Sequence, residues 1–320
     1  MHNISARQAV RNMRNIGEYA QWSIGGPDAD ERGYESVTAQ MAGGRVFGEF
    51  TPFITPKFHL GENPALFTSG SCFAREIEHA LHAQGKTVLS WSPDCGLSPA
   101  SFNRYNIFSV LNDFRLAQGG GYDEDLMWET PIGWIDYSGN DVLPTRDALV
   151  SARNASIKIH KQIAQADVFI VTLGLIETWY DLKTNTYLNF TPSEVLAGNL
   201  SRFECRITDY AENLEAAKYL IDYLRTHFNP NLKIIVTVSP VPLNVSFSGQ
   251  DIAQANTLSK STLRTVAQKL ADEDENIDYF PSYEMVTLSN PTDAWLPDHR
   301  HVRREMVSRI MQTFVQHYIG

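Results

Sequence analysis

Asp167-Val168-Phe169-Ile170-Val171-Thr172-Leu173-Gly174 holds an apolar run too short for an ordinary helix. It is rich in the β-branched and aromatic residues that fill a strand covered on both faces, and Gly174 closes it. Such a strand belongs to a parallel sheet with helices on each side, so the flanking chain should alternate strand with amphipathic helix.

Working upstream, Pro64 to Thr68 reads as a strand ending at Gly70. Phe73, Ile77, Ala80 and Leu81 then recur at helical spacing until Gly85. Lys86 to Trp91 reads as a second strand, and a helix follows from about Asn106 to Gln118, with Gly119-Gly120-Gly121 after it. Residues 119–147 carry Gly, Asp and the aromatics Trp128 and Trp134 with no sustained period. They are expected to form an insertion over one face of the sheet, where a substrate-binding lid could sit. A helix from about Asp147 to Ala166 leads into the opening run. Downstream, Leu214, Ala217, Ile221 and Leu224 mark a helix, Lys233 to Val238 a strand, and Ile252 to Leu270 another helix. Ile277 to Phe280 is a short last strand, and Val307, Ile310, Met311 and Phe314 give a C-terminal helix. The expectation is an α/β chain of five strands with helices on both sides. Residues 1–60 lack this rhythm: an amphipathic stretch near Ala6 to Trp22 precedes a Gly/Asp/Pro-rich segment. They read as an N-terminal extension packed on a domain spanning residues 61–320.

Composition narrows the functional classes. With 320 residues, 43% hydrophobic and 20% charged, the chain can build a packed core. A net charge of -10 and the lack of a long basic stripe argue against nucleic acid as a partner. No run approaches the roughly 18 apolar residues of a membrane span, and the N-terminus lacks an apolar leader, so a cytoplasmic location is the default expectation. Cys72, Cys95 and Cys205 cannot all pair and none forms a C-x-x-C, which points to thiols. Neither Gly-x-Gly-x-x-Gly nor a Walker A pattern is present, and no cofactor is expected to be required.

Reactive groups in open α/β sheets lie beyond the carboxyl ends of strands. Gly70-Ser71-Cys72-Phe73-Ala74 stands where the first strand hands over to its helix. The partial positive charge of the helix N-terminus there favours a thiolate or an oxyanion. The same small turn would also suit tight strand-to-helix packing around an inert thiol. Near the C-terminus, Asp298-His299-Arg300-His301 precedes the last helix. A spacing of three in a helical turn lets Asp298 accept from His301 Nδ1 and leaves Nε2 free as a base. Asp298 as a helix cap, or His299 and His301 as a metal pair, are the other readings; no further ligand cluster with zinc spacing supports the metal.

Together these pieces resemble the GSCFA family, whose pentapeptide stands here as Gly70 to Ala74, and which is related to the SGNH/GDSL hydrolases. Further blocks follow in order: Thr172-Leu173-Gly174 with Thr178-Trp179, Val238-Ser239-Pro240-Val241, Asn256 with Ser259-Lys260-Ser261, Tyr279 to Glu284, and Asp298-x-x-His301. The resemblance implies a flavodoxin-like three-layer α/β/α sandwich with a five-stranded parallel sheet. It also implies a catalytic set of Cys72, Asp298 and His301, with Ser71 the second candidate for the nucleophile. The chain departs from the wider superfamily at Gly174-Leu175-Ile176-Glu177, which lacks the asparagine that donates to the oxyanion. The backbone N–H of Cys72 or Gly174, or the side chain of Asn106, is expected in its place, although Asn106 also reads as an ordinary helix cap. Glu177 would orient a substrate hydroxyl or cap the next segment. The implied chemistry is acyl transfer or ester hydrolysis through an acyl-enzyme. The expected partners are a small-molecule acyl donor or ester, such as acetyl-coenzyme A as co-substrate, and a carbohydrate acceptor. The alternative is a noncatalytic binding or scaffolding protein that keeps the fold.

Overall fold

The computed structural model describes residues 4–23, 37–46, 48–120, 123–137, 139, 142–189, 191–192 and 200–319. In chain order its elements begin with α1 (Ala6–Ile16), α2 (Ala42–Arg45), β1 (Ala65–Gly70), α3 (Cys72–Ala83), β2 (Thr87–Val88) and α4 (Ile107–Ala117). Next come β3 (Met127–Thr130), β4 (Gly133–Asp136), β5 (Val142–Leu143), α5 (Arg146–His160), β6 (Val168–Leu173), β7 (Glu177–Asp181), β8 (Thr186–Leu188) and β9 (Phe203–Ile207). The chain ends with α6 (Tyr210–His227), β10 (Lys233–Val238), α7 (Ile252–Glu273), β11 (Ile277–Tyr279), α8 (Ser282–Thr287), α9 (Pro291–Ala294) and α10 (Arg304–Tyr318).

The main sheet runs β11-β10-β6-β1-β2, and every pairing in it is parallel. The run that opened the sequence reading is its central strand: all six residues of β6 are buried, with β1 on one side and β10 on the other. Helices close both faces, giving the three-layer α/β/α sandwich. Phe67, Phe169, Val171, Ile234 and Val236 pack towards α4, α6 and α7 on one face. Leu66, Val168, Ile170 and Ile235 pack towards α3, α8 and α10 on the other. Burying a side chain such as Phe169 stabilises the fold by about 2–3 kcal/mol, and the alternation along each strand sends successive residues to opposite cores.

Strand order reverses between β1 and β6, which is where a crevice opens at the carboxyl ends of a parallel sheet. Gly70 ends β1 with φ +145, and a Cβ there would meet the carbonyl oxygen of Thr172 at 2.6 Å. Only glycine lets the chain turn this close to β6. Gly174 is just as confined, since a Cβ would lie 2.4 Å from the carbonyl oxygen of Tyr105. The 98–106 loop lies across both strand ends: Arg104 N donates to Gly70 O at 2.7 Å, and Leu175 N donates to Tyr105 O at 2.8 Å. Beneath this loop the buried Arg104 guanidinium donates to Ser101 O, Asn103 O and Asp113. Burial pushes the Asp113 carboxyl up, but Arg104 and His160 outweigh it and hold the group well below the usual carboxylate range.

Several elements differ from the sequence reading. Lys86 to Trp91 reads as a strand, yet only Thr87 and Val88 pair with β1. Beyond them Ser90 Oγ, not a backbone carbonyl, accepts from Thr68 N at 3.0 Å. Residues 127–143 contain the antiparallel strands β3, β4 and β5, and a second antiparallel sheet, β8-β7-β9, rises after Gly174. The two small sheets share a core of Leu126, Tyr137, Leu188 and Phe203, packed by Trp128 and Trp179. At the N-terminus, residues 48–60 are tied to the domain: Phe50 N donates to Ser289 Oγ, Lys57 N to Asp278 Oδ2 and Leu60 N to Tyr318 O. Helix α1, by contrast, buries no residue, and the Gly/Asp/Pro-rich stretch 24–36 lies outside the described residues, as does Gly121. Among the described residues no helix is long and apolar enough to cross a membrane.

Candidate active site

Ser71 and Cys72 sit at the crevice between β1 and β6, at the start of α3. Ser71 is the N-cap: its Oγ accepts from Phe73 N at 3.4 Å and donates its own proton to Ser239 Oγ at 3.1 Å. It is buried and engaged on both sides. Cys72 opens the helix and is half-buried.

Two cavities meet at that thiol. One, of about 300 Å³, is lined by Cys72, Gly174, Ser239, Lys260 and Arg300, with the apolar Leu243, Val245 and Phe247 also in its lining. The other, of about 470 Å³, is lined by Cys72, Glu76, His301, Arg303 and Arg304. Cys72 and Val241 are common to both walls. Among the described residues, none of 119–147 lines either cavity. The first is bounded instead by the 239–247 loop and by residues of β7 and β8.

The Asp298–His301 pair is formed, though not by a helical turn. His299 adopts φ +50, Leu296 N donates to His301 O at 2.8 Å, and Trp295 bridges Val302, so the segment is a tight loop that ends before α10 begins. Asp298 Oδ1 accepts from the N–H groups of Arg300 and His301 at 3.0 Å each. Its Oδ2 lies 2.5 Å from His301 Nδ1, which assigns the ring proton to Nδ1 and leaves Nε2 free. The bond from His301 first, and those backbone N–H groups second, hold the Asp298 carboxyl well below its ordinary value. Both side chains are half-exposed, unlike a sealed orienting carboxylate.

The helix N-terminus was expected to favour a Cys72 thiolate. Burial outweighs it and pushes the thiol up, while Arg300 and the N–H groups of Phe73 and Cys72 pull it back and Glu76 pushes it further. The resting group is therefore a thiol that needs a base. Arg300→Leu removes the largest opposing influence and is expected to slow iodoacetamide alkylation of Cys72 near neutral pH by about tenfold, the lower end of what a neighbouring opposite charge does to a pKa. An unchanged rate, read by peptide mass spectrometry at several salt concentrations, would remove Arg300 from the account.

The remaining candidates have defined surroundings. Asn106 lines the first cavity, but its Oδ1 accepts from Ser109 N at 2.8 Å as the α4 cap and its Nδ2 donates to Leu188 O at 3.1 Å. Glu177 accepts from Ser246 Oγ at 2.6 Å and Phe247 N at 2.7 Å, pinning the 239–250 loop to β7. Gly174 offers its carbonyl to Lys260 Nζ at 2.8 Å. Lys260 is only 1% exposed, and burial draws its amine down to about 7 against a smaller opposing influence from Cys72. Sequence reading placed Ser239 and Lys260 in family blocks without a role and did not single out Arg300. A lysine on the buried face of α7, in register with Leu263, Val266 and Leu270, was the available signal. Among the described residues no group of three or more His, Cys, Asp or Glu side chains could hold a metal ion.

Comparison with known proteins gives no match among curated sequences. A family 3 carbohydrate esterase from Clostridium thermocellum aligns over 80% of this chain and 94% of its own, at 12% identity and a TM-score of 0.31. A carbohydrate esterase family 2 enzyme with its carbohydrate binding domain, from Corynascus thermopiles (Myceliophthora fergusii), aligns over 83% of this chain and 67% of its own, at 12% identity and a TM-score of 0.39. The family model that matches this sequence extends over residues 65–314, from the first residue of β1 into α10, and by that match the chain belongs to the GSCFA family.

Proposed function

We propose that the protein is an acyl-transfer enzyme, esterase or acyltransferase, in which Cys72 is the nucleophile and His301, oriented by Asp298, is its base. The supporting observation is that the Cys72 thiol stands at a helix N-terminus on the wall shared by two cavities, one of which carries His301 with its ring held through Nδ1. Nε2 of His301 takes the proton from Sγ as the Sγ–C bond forms, and the carbonyl electron pair moves onto oxygen. Collapse of that tetrahedral species expels an alkoxide or thiolate, which recovers the proton from His301 and leaves a thioester on Cys72. Water or an acceptor hydroxyl then attacks, gives its proton to His301, and releases the thiol. A thiol exchanges readily with thioester donors such as acetyl-coenzyme A, which favours transfer, and a carbohydrate hydroxyl is the acceptor that the superfamily resemblance suggests. Ser71 is the weaker candidate, because its oxygen already caps α3 and its proton goes to Ser239.

One observation favours the alternative, a binding protein without turnover: burial pushes the Cys72 thiol up, away from its reactive form. Acid-quenched mixtures with p-nitrophenyl acetate separate the two. The enzyme should show a burst of p-nitrophenol and one hydroxylamine-labile acetyl group on the peptide containing Cys72. Cys205, whose thiol burial pushes up to about 11, should stay unmodified. Absence of any burst, or acetyl groups spread over surface lysines, leaves the binding protein.

A further inference from the structure

Within the acyl-transfer reading given above, we infer that Lys260 is a catalytic residue: its buried amino group donates a hydrogen bond to the oxyanion that forms when Cys72 attacks the acyl carbonyl.

The placement comes from the fold. Lys260 projects from α7 into the interior, and its Nζ is anchored at 2.8 Å on the carbonyl oxygen of Gly174, the residue that follows β6. Gly70, which precedes Ser71 and Cys72, ends the neighbouring strand, with Gly70 paired to Thr172. The amine is thus fixed at the crevice end of β6 while the thiol stands at the crevice end of β1, and both line one cavity. A carbonyl attacked from Sγ inside that cavity lies between the helix N-terminus and the amine.

Three side chains on the same wall have their donors committed. Asn106 Nδ2 serves Leu188 O, Asn189 Nδ2 serves Asn103 O and Gly139 O, and the Ser71 hydroxyl serves Ser239. Even as a neutral amine Lys260 has two N–H bonds, and the partner described for it is one carbonyl, so donor capacity remains for the cavity it lines. A purely structural lysine is a poor use of this position: replacing a buried charged group by an apolar one of similar volume is commonly neutral or stabilising. A hydrogen-bond donor preorganised in a partly closed site has, in contrast, its largest effect on a developing oxyanion.

The test reads oxyanion binding without turnover. 1,1,1-Trifluoroacetone adds to a thiolate: the S–C bond forms, the carbonyl pair moves onto oxygen, and no group leaves, so the hemithioketal oxyanion persists on Cys72. Its affinity is read by ¹⁹F NMR in wild type, Lys260→Met and Cys72→Ala, together with the alkaline-plateau rate of Cys72 alkylation by iodoacetamide, a reaction that forms no oxyanion. Lys260→Met should weaken the adduct by about a hundredfold, the cost of one oxyanion donor, and change the plateau alkylation rate less than threefold. Unchanged adduct affinity overturns the inference, and so does a parallel fall in alkylation, which would assign Lys260 to the thiol instead. Should Lys260→Met not fold, Lys260→Gln, which keeps an uncharged donor, should retain at least a tenth of the wild-type affinity, and a full loss counts against the proposal. An adduct that survives in Cys72→Ala, or that never forms on wild type, removes Cys72 as nucleophile and takes the inference with it. That result is distinct from a loss seen in the lysine variants alone.

Discussion

Cys72→Ala is expected to lower kcat/KM for p-nitrophenyl acetate by at least about 10⁴-fold, since removing the nucleophile of a nucleophile–base unit costs up to on the order of 10⁶ in kcat. His301→Ala should cost nearly as much, and the double variant no more than Cys72→Ala alone, because a base without its nucleophile has nothing to deprotonate. That non-additivity is the informative part. Two groups acting independently would multiply their losses, and steady-state kinetics on the three proteins would show it. If the double variant is slower than either single one by the product of their effects, Cys72 and His301 do not act as a unit. Far-UV circular dichroism serves as the control. Residue 72 is a helical position where alanine is a good former, and the Ser71 cap is retained.

The second large effect concerns stability. Burial draws the Lys260 amine from 10.5 to about 7, so between those values the unfolded chain holds a proton that the folded chain does not. Stability then rises with pH across that window, is fully gained above 10.5, and is lost as pH falls towards 7. The whole span corresponds to about 5 kcal/mol at 1.36 kcal/mol per unit, an upper bound for a site that relaxes or hydrates. Lys260→Met is therefore expected to be more stable than wild type at pH 6–7 by several kcal/mol, and the difference should shrink steadily towards pH 10. Burial pushes Cys72 up, which makes its own contribution fall with rising pH, but it is present in both proteins and largely cancels in the difference. Urea unfolding from pH 6 to 10 measures this. A pH-independent difference would mean that the amine stays charged and solvated in the folded chain.

Much of the fold was legible because the main sheet and its helices obey strong local rules. Residues 168–173 form a fully buried strand, and 252–273 repeat with a helical period. Asn106 marks the start of α4 by capping it, and Leu214, Ala217, Ile221 and Leu224 mark α6 by their helical spacing. The β8-β7-β9 sheet escaped because its strands are short, half-buried and antiparallel, and their pairing is set by partners up to some thirty residues apart, such as Glu177 with Ile207. The edge strand β2 was read as too long, since the pattern Lys86 to Trp91 does not say which backbone groups find a partner. At the site, the pentapeptide and the Asp298–His301 spacing were visible as local motifs. Lys260 was visible only as part of a family block and Arg300 not at all as a site residue, because the cavity wall they share is assembled by segments far apart in the chain. The sign of the Cys72 shift was also beyond local reading: a helix N-terminus is visible in sequence, but the depth at which it is buried is not.

Leu126, Tyr137, Leu188 and Phe203, from the two small antiparallel sheets and the residues beside them, form a cluster separate from both large cores. The strands that border the first cavity and the sheet that holds the thiol therefore rest on different packing. Reshaping the β7-β8 hairpin, which borders the first cavity, would alter what reaches the thiol while leaving the scaffold that holds it intact. Under the proposed acyl transfer, one reaction could be redirected to new acceptors by changes that the folding of the central domain hardly registers.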